Sequence, residues 1–159
     1  MKYFLCLGSN LGQKRSNLRK ALALLKKRGI RLLRLSSLYQ TEPVEIQDQP
    51  WFYNQVVEIE ANFSPSELLK LIKKIEQRMG RKGSIPMAPR KIDIDILLAE
   101  GKVVRTKELV IPHPRLEKRN FVLAPLCEIA PELVHPVLKT KIEDLAKKSK
   151  DPSLVRRLE

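Results

Sequence analysis

The chain is short of cysteine, glycine, aromatic residues and negative charge. It has 2 cysteines and 6 glycines in 159 residues, and 5% of its residues are aromatic. Cys6 and Cys127 sit in separate apolar runs rather than in a Cys-x-x-Cys pair, so neither a metal knuckle nor a disulfide framework is suggested and two buried, reduced thiols are expected. Tyr3 to Leu7 is the longest apolar run near the start, far short of a signal-peptide core. No stretch approaches the roughly 20 apolar residues of a membrane span, so a cytoplasmic protein without a membrane partner is expected. There is no internal repeat and no low-complexity segment. The acidic deficit, 18 Asp and Glu against 31 Lys and Arg, leaves a net charge of +13. Such a field attracts polyanions, whether nucleic acid, an anionic surface or a nucleotide, without choosing among them. Runs such as Lys26-Lys27-Arg28 and Lys147-Lys148-Ser149-Lys150 read equally well as solvated helix ends.

The 43% of hydrophobic residues suffices for one core, so residues 1–159 are read as a single domain, expected as a monomer. Residues 2–7 form an apolar strand stopped by Gly8-Ser9-Asn10. From Lys14 to Arg28, Leu18, Ala21, Leu22 and Leu25 recur at helical spacing, and Gly29 is a natural stop. Alternation predicts a strand over Ile30–Gln40, a loop over residues 41–52 and a strand over Tyr53–Ala61. Ser64-Pro65-Ser66-Glu67 is a capping box with proline at the first helical position, so a helix starts there, buries Leu68, Leu71, Ile72 and Ile75, and ends at Gly80. The loop Arg81–Pro89 leads to the most regular alternation in the chain, Lys91 to Leu98. The order strand, helix, strand, strand, helix, strand is that of a split βαβ, ferredoxin-like α+β fold, with helices on one face of an antiparallel sheet. A hairpin strand over Lys102–Val104, a helix over Arg119–Glu128 and a charged, weakly amphipathic stretch over Lys139–Glu159 follow as a C-terminal extension.

Side chains two apart on a strand share a face, about 6.6 Å from each other, so Asp93 and Asp95 project together while Ile92, Ile94 and Ile96 point the other way. Paired carboxylates suit a hard divalent cation, although an acidic strand face in water has the same pattern. Arg81, Arg90, His113 and Arg119 shift the balance, because guanidiniums around a metal-binding acid pair are what a triphosphate requires. Taken singly, each would more often be a surface charge. A second cluster, Gln47 to Asn54, sets Trp51, Phe52 and Tyr53 beside an amide that can read the edge of a flat heterocycle, with at least one ring expected in the core. His135 has no evident companion and reads as structural.

These segments, taken in order, resemble the 6-hydroxymethyl-7,8-dihydropterin pyrophosphokinase family over residues 3–136. The resemblance is carried by Gly8-Ser9-Asn10-Leu11-Gly12, Ser36 to Pro43, Gln47-Asp48-Gln49-Pro50, Asn54, Glu76 through Gly80-Arg81, Pro89 to Asp95, Ile111-Pro112-His113-Pro114 and Arg119 to Leu126. It implies transfer of the terminal diphosphate of ATP to a pterin hydroxymethyl group, with AMP leaving, in folate biosynthesis. It further implies two Mg²⁺ ions on Asp93 and Asp95, with Arg81 and Arg90 also catalytic. ATP would be contacted by Arg81, Arg90, Ile96, His113 and Arg119. The pterin would be held by Thr41, Pro43, Val44, Phe52, Asn54 and Phe121. The chain departs from the family pattern at Met87, Ala88, Glu108, Val110 and Pro114, and its 82–89 loop is one residue short. A nucleic-acid-binding module is the main rival, but the strand that should carry exposed aromatics there carries Asp93 and Asp95, so no nucleic-acid partner is expected.

Overall fold

A computed structural model describes residues 1–43, 48–80 and 89–158. The first strand, β1 (Lys2–Ser9), is almost wholly buried and is an inner strand of the sheet. Helix α1 (Lys14–Lys27) follows, buries Leu18, Ala21 and Leu25, and stops before Gly29, whose φ of +81° suits a residue without a Cβ. Strands β2 (Arg31–Leu35) and β3 (Tyr39–Thr41) both pair with β4 (Phe52–Glu60). Helix α2 (Pro65–Arg78) begins at Ser64 with both arms of the capping box formed. Strand β5 (Asp93–Ala99) closes the core at the sheet edge, antiparallel to β1. The order β5-β1-β4-β2/β3, antiparallel throughout, is the one the split βαβ pattern predicts.

The expected Ile30–Gln40 strand is interrupted. Leu35 lies opposite Val57 and Tyr39 opposite Asn54, so Ser36, Ser37 and Leu38 span only Gln55 and Val56. The surplus residue cannot join the ladder, and Ser36 takes up the local backbone: its Oγ accepts Val56 N at 2.9 Å and its carbonyl accepts Gln55 Nε2 at 2.8 Å. A second irregularity, between Leu32 and Arg34, falls at the doubled leucine.

Both faces of the sheet are covered, where the sequence pattern placed helices on one. Tyr3, Leu5, Leu7, Val57, Ile59, Ile94 and Ile96 face α1 and α2. Phe4, Cys6, Val56 and Leu97 face α3 (Asn120–Ile129) and α4 (Ile142–Lys148), which contribute Val122, Leu123, Leu126, Ile142 and Leu145. Each such Leu or Ile, fully buried, contributes about 1.5–3 kcal/mol before the opposing entropy is counted. Residues Lys102–Val104 form no strand on the main sheet. Lys102 makes one bridge to Ala99, and β6 (Val104–Arg105) pairs with β7 (Val110–Ile111) in a separate ladder. The tail adds one further strand, β8 (Val155–Arg157), on the free edge of β3.

Candidate active site

Alternation along β5 puts Asp93 and Asp95 on the same sheet face as Leu97, facing α3. Opposite them on β1, Asp95 pairs with Cys6 and Asp93 with Gly8. Opposite Gly8 on β4 is Asn54. The two aspartates and Asn54, expected from the sequence to meet a metal and a heterocycle, therefore flank one glycine on adjacent strands. A Cβ on Gly8 would lie 2.5 Å from Asn54 Oδ1 and 3.5 Å from the Phe52 ring, so the floor between the two groups must be backbone alone.

Asn54 is buried and donates through Nδ2 to Thr41 Oγ1, itself 1% exposed, which turns Oδ1 over Gly8. Pro43 is buried next to them. Phe52 and Phe121 are both half-buried on this side. Tyr53 is directed elsewhere: it packs on the α1 side under Lys14 and Arg15, 4.8 and 5.7 Å from its ring centre, while the main-chain carbonyl of Trp51 accepts Lys14 Nζ at 2.9 Å. Of the two rings on β4, Phe52 is the one beside Gly8.

Arg90 is 6% exposed and its Nη1 lies 3.3 Å from Asp93 Oδ1, while the Asp93 side chain is 28% exposed. The carboxylate is reachable and the guanidinium sits behind it, aligning it. Arg119, just before α3, stands with its guanidinium 5.5 Å from the Phe121 ring centre, which joins the cationic and aromatic parts of the site. The His113 N–H is bonded to the Leu97 carbonyl at 2.9 Å, and its Nδ1 accepts Arg115 N at 3.2 Å. The proton of neutral His113 is thus on Nε2, which makes it a donor. Burial, then the Arg119 and Arg115 charges, lower its pKa to about 4, against the pull of Asp93 and Glu117. His135 is structural as expected: it is buried and its Nδ1 accepts Val137 N and Leu138 N.

Three positioning groups were invisible to spacing alone. Asn10 is 1% exposed; its Oδ1 accepts Arg90 N at 2.9 Å, and its Nδ2 donates to Gln49 Oε1 and Pro50 O. It thereby ties the approach to β5 to the loop before β4. Glu76 of α2 is buried and accepts Ile94 N at 2.9 Å, between the two aspartates on the outer edge of β5. Gly8 is the third. Each lay within a segment that carried the family resemblance, but its function depends on a partner distant in sequence. Cys6 lies beside Asp95 on the neighbouring strand, and burial, then the Asp95 and Asp93 charges, raise its thiol pKa well above the ordinary value. Both cysteines are free, and Cys127 is only half-buried where full burial was expected.

Asp93 and Asp95 suit Mg²⁺, which takes one or two carboxylates and completes its shell with water and phosphate oxygens. Among the described residues no group of three or more His, Cys, Asp or Glu could form an all-protein cage. Ile96 is 5% exposed with its side chain in the α1/α2 core, so only its main chain on the edge strand can meet a ligand. Arg81, Val44, Met87 and Ala88 lie outside the described residues.

The chain resembles proteins of known classification over most of its length. It is 42% identical over 131 residues to the 2-amino-4-hydroxy-6-hydroxymethyldihydropteridine pyrophosphokinase of Bacillus subtilis, covering 82% of this chain and 78% of that protein. With the Aquifex aeolicus protein of the same name it shares 40% identity over 141 residues, covering 89% and 88%. It is 45% identical over 142 residues to the folic acid synthesis protein fol1 of Schizosaccharomyces pombe, of which it spans 19%, about a fifth. Among solved structures, the Plasmodium falciparum HPPK-DHPS wild type with pteroate superposes with a TM-score of 0.76 at 19% identity, over 92% of this chain and 42% of that one, which supports the fold. Residues 4–131 match the family model of the 7,8-dihydro-6-hydroxymethylpterin-pyrophosphokinases, and the chain belongs to that family.

Proposed function

We propose that the chain transfers diphosphate from ATP to the hydroxymethyl group of 6-hydroxymethyl-7,8-dihydropterin, giving the pterin diphosphate and AMP, in folate biosynthesis. The observation that carries this reading is the meeting of two sets of groups on one sheet face. Asp93 and Asp95 stand with Arg90, Arg119 and His113 on one side of Gly8, and Asn54, Thr41 and Phe52 stand on the other. A phosphate chain and a flat heterocycle laid across such a floor would meet near Gly8.

In this reading the pterin stacks between Phe52 and Phe121, and its amide-like edge meets Asn54 and the backbone around Thr41 to Val44. Arg119 and His113 Nε2–H hold the phosphates, joined by Arg81, and adenine meets the main chain at Ile96. Mg²⁺ on Asp93 and Asp95, two ions by family likeness, neutralises charge on the phosphates when bound. Arg90 holds Asp93 in position and reaches the phosphates from behind it. Diphosphate transfer needs in-line placement and charge compensation more than a strong base, and no base is assigned here. A monomeric, cytoplasmic enzyme is the simplest form consistent with the reading; no helix among the described residues is long and apolar enough to cross a membrane.

Incubation with Mg·ATP and the dihydropterin, followed by ³¹P NMR, tests the proposal. AMP together with a new pterin diphosphate is expected. ADP would mean that the wrong phosphate is transferred, and unconsumed ATP would return the protein to the nucleic-acid reading.

A further inference from the structure

Helix α3 begins at Asn120 without a cap of its own, because Arg119 stands at the capping position and makes no side-chain bond there. The missing acceptor comes from 31 residues further on: Asp151 Oδ2 accepts Asn120 N at 2.8 Å. Asn120 is then gripped through its side chain as well, donating to the Asp151 carbonyl at 2.9 Å and accepting from Ser149 Oγ at 2.7 Å. Asp151 is in turn fixed by Ser153 N on Oδ1 at 2.9 Å. Burial pushes its carboxyl pKa up, but the bonds from Asn120 and Ser153 and the nearby Arg119 charge outweigh this and hold it below the usual range. Asn120 lies between Arg119 and Phe121, so this clasp sets where both side chains leave the helix.

A few residues on, the same segment holds the opposite wall. Strand β8 pairs Val155 with Thr41, Gln40 with Arg156 and Tyr39 with Arg157. The ladder is lengthened by Glu42 N to Leu154 O at 3.0 Å and Leu158 N to Leu38 O at 2.8 Å. Arg157 Nε donates to Ser37 Oγ at 3.1 Å. The circuit returns to α3 through Glu128, which accepts Tyr39 OH at 2.8 Å and Ser37 N at 3.1 Å and pairs with Arg157 at 3.5 Å.

We propose that residues 149–158 form a strap that positions the pterin, with Asp151 setting Phe121 on one wall of the slot and β8 setting Thr41 on the other. The inference rests on the reading above that these two residues touch the pterin. It goes beyond that reading because the strap lies outside the segment, residues 4–131, that matches the family. Asp151 is a positioning residue and touches no reacting atom. The strap acts on both pterin walls but on the phosphate side only through Arg119, for which Asp151 competes. Loosening it therefore weakens pterin binding and leaves nucleotide binding unchanged or slightly tighter.

The test uses the full chain saturated with Mg²⁺ and a methylene-bridged ATP analogue, with pterin affinity read by fluorescence and analogue affinity by calorimetry. Asp151→Ala is expected to raise the pterin Kd about ten-fold or more. Asp151→Asn should restore only part of that loss, since its single carbonyl oxygen can accept Asn120 N but leaves the Ser153 N–H facing an amide donor. Arg156→Pro, which removes the N–H of the residue paired with Gln40 midway between the 42/154 and 38/158 bonds of the ladder to β3, should weaken pterin binding in the same selective way. Equal loss for both ligands, or unchanged pterin affinity in Asp151→Ala and Arg156→Pro, would overturn the strap. Phe121→Ala, measured alongside, separates the two levels. If it weakens pterin binding and the strap variants do not, the strap alone fails. If Phe121→Ala has no effect either, the placement of the pterin fails and takes the strap with it.

Discussion

Gly8 shows how much of the site hangs on single positions. Its missing side chain lets Asn54 Oδ1 cross the sheet, and Asn54 is pinned by Thr41, so an added methyl has no flexible neighbour to displace. Gly8→Ala is expected to destabilise the fold by about 1–3 kcal/mol and to weaken pterin binding more than ATP binding. Equal affinities in variant and parent would show that Asn54 moves freely. His113 offers a test by pH. Its native pKa of about 4 lies below the unfolded value near 6.5, so the unfolded chain takes up a proton first as pH falls. The contribution of His113 to stability is constant above about pH 6.5 and declines as pH drops from there towards 4. In a histidine NMR titration of the ligand-free protein, the His113 ring should stay neutral from pH 8 to about 5.5; a midpoint near 6.5 would contradict the buried, Arg-flanked setting. At this scale the sequence was legible where a role depends on near neighbours. Asp93 and Asp95 share a face by the two-residue period, whereas the role of Asn10 depends on Arg90, 80 positions away.

Elements were legible in the same measure as their ends are determined locally. Helix α2 was predicted from Ser64 to Gly80, and its ends lie there because Ser64 Oγ accepts Glu67 N, Glu67 Oε1 accepts Ser64 N, and Gly80 takes a φ of +103°. Ser64→Ala should cost about 1 kcal/mol by chemical denaturation and leave turnover unchanged, since the cap lies at the far end of α2 from Glu76. A fall in turnover would mean that the helix start communicates with β5. The break between β2 and β3 could not be read in advance, because it arises from three residues facing two on another strand. Strand β8 was hidden for a similar reason: Val-Arg-Arg is too short to signal a strand, and its partner β3 is more than 100 residues earlier.

For the molecule as a whole, the fold class was evident from the order of periodicities, and the second covered face was not. Helices α3 and α4 come after the core pattern is complete, and nothing in their own spacing says which side of the sheet they occupy. The net charge of +13 announced an anionic ligand without locating it. Arg90 and Arg119 now place part of that charge at one site, which yields an expectation for the intact protein. The KM for Mg·ATP should rise several-fold as ionic strength goes from about 0.05 to about 0.3 M, because screening shortens the reach of the field. The KM for the uncharged pterin should change little; parallel changes would indicate that the field acts on the fold rather than on the nucleotide.

The thiol of Cys6 gives the site an indicator of its own. It is enclosed, it stays protonated, and the two charges that most perturb it are those of Asp95 and Asp93. An S–H bond vibrates in an infrared window that other protein groups leave clear, at a frequency that follows the local electric field. With Cys127→Ser removing the second band, a shift of the remaining one would register the arrival of a cation at the carboxylates optically, without a label and without turnover.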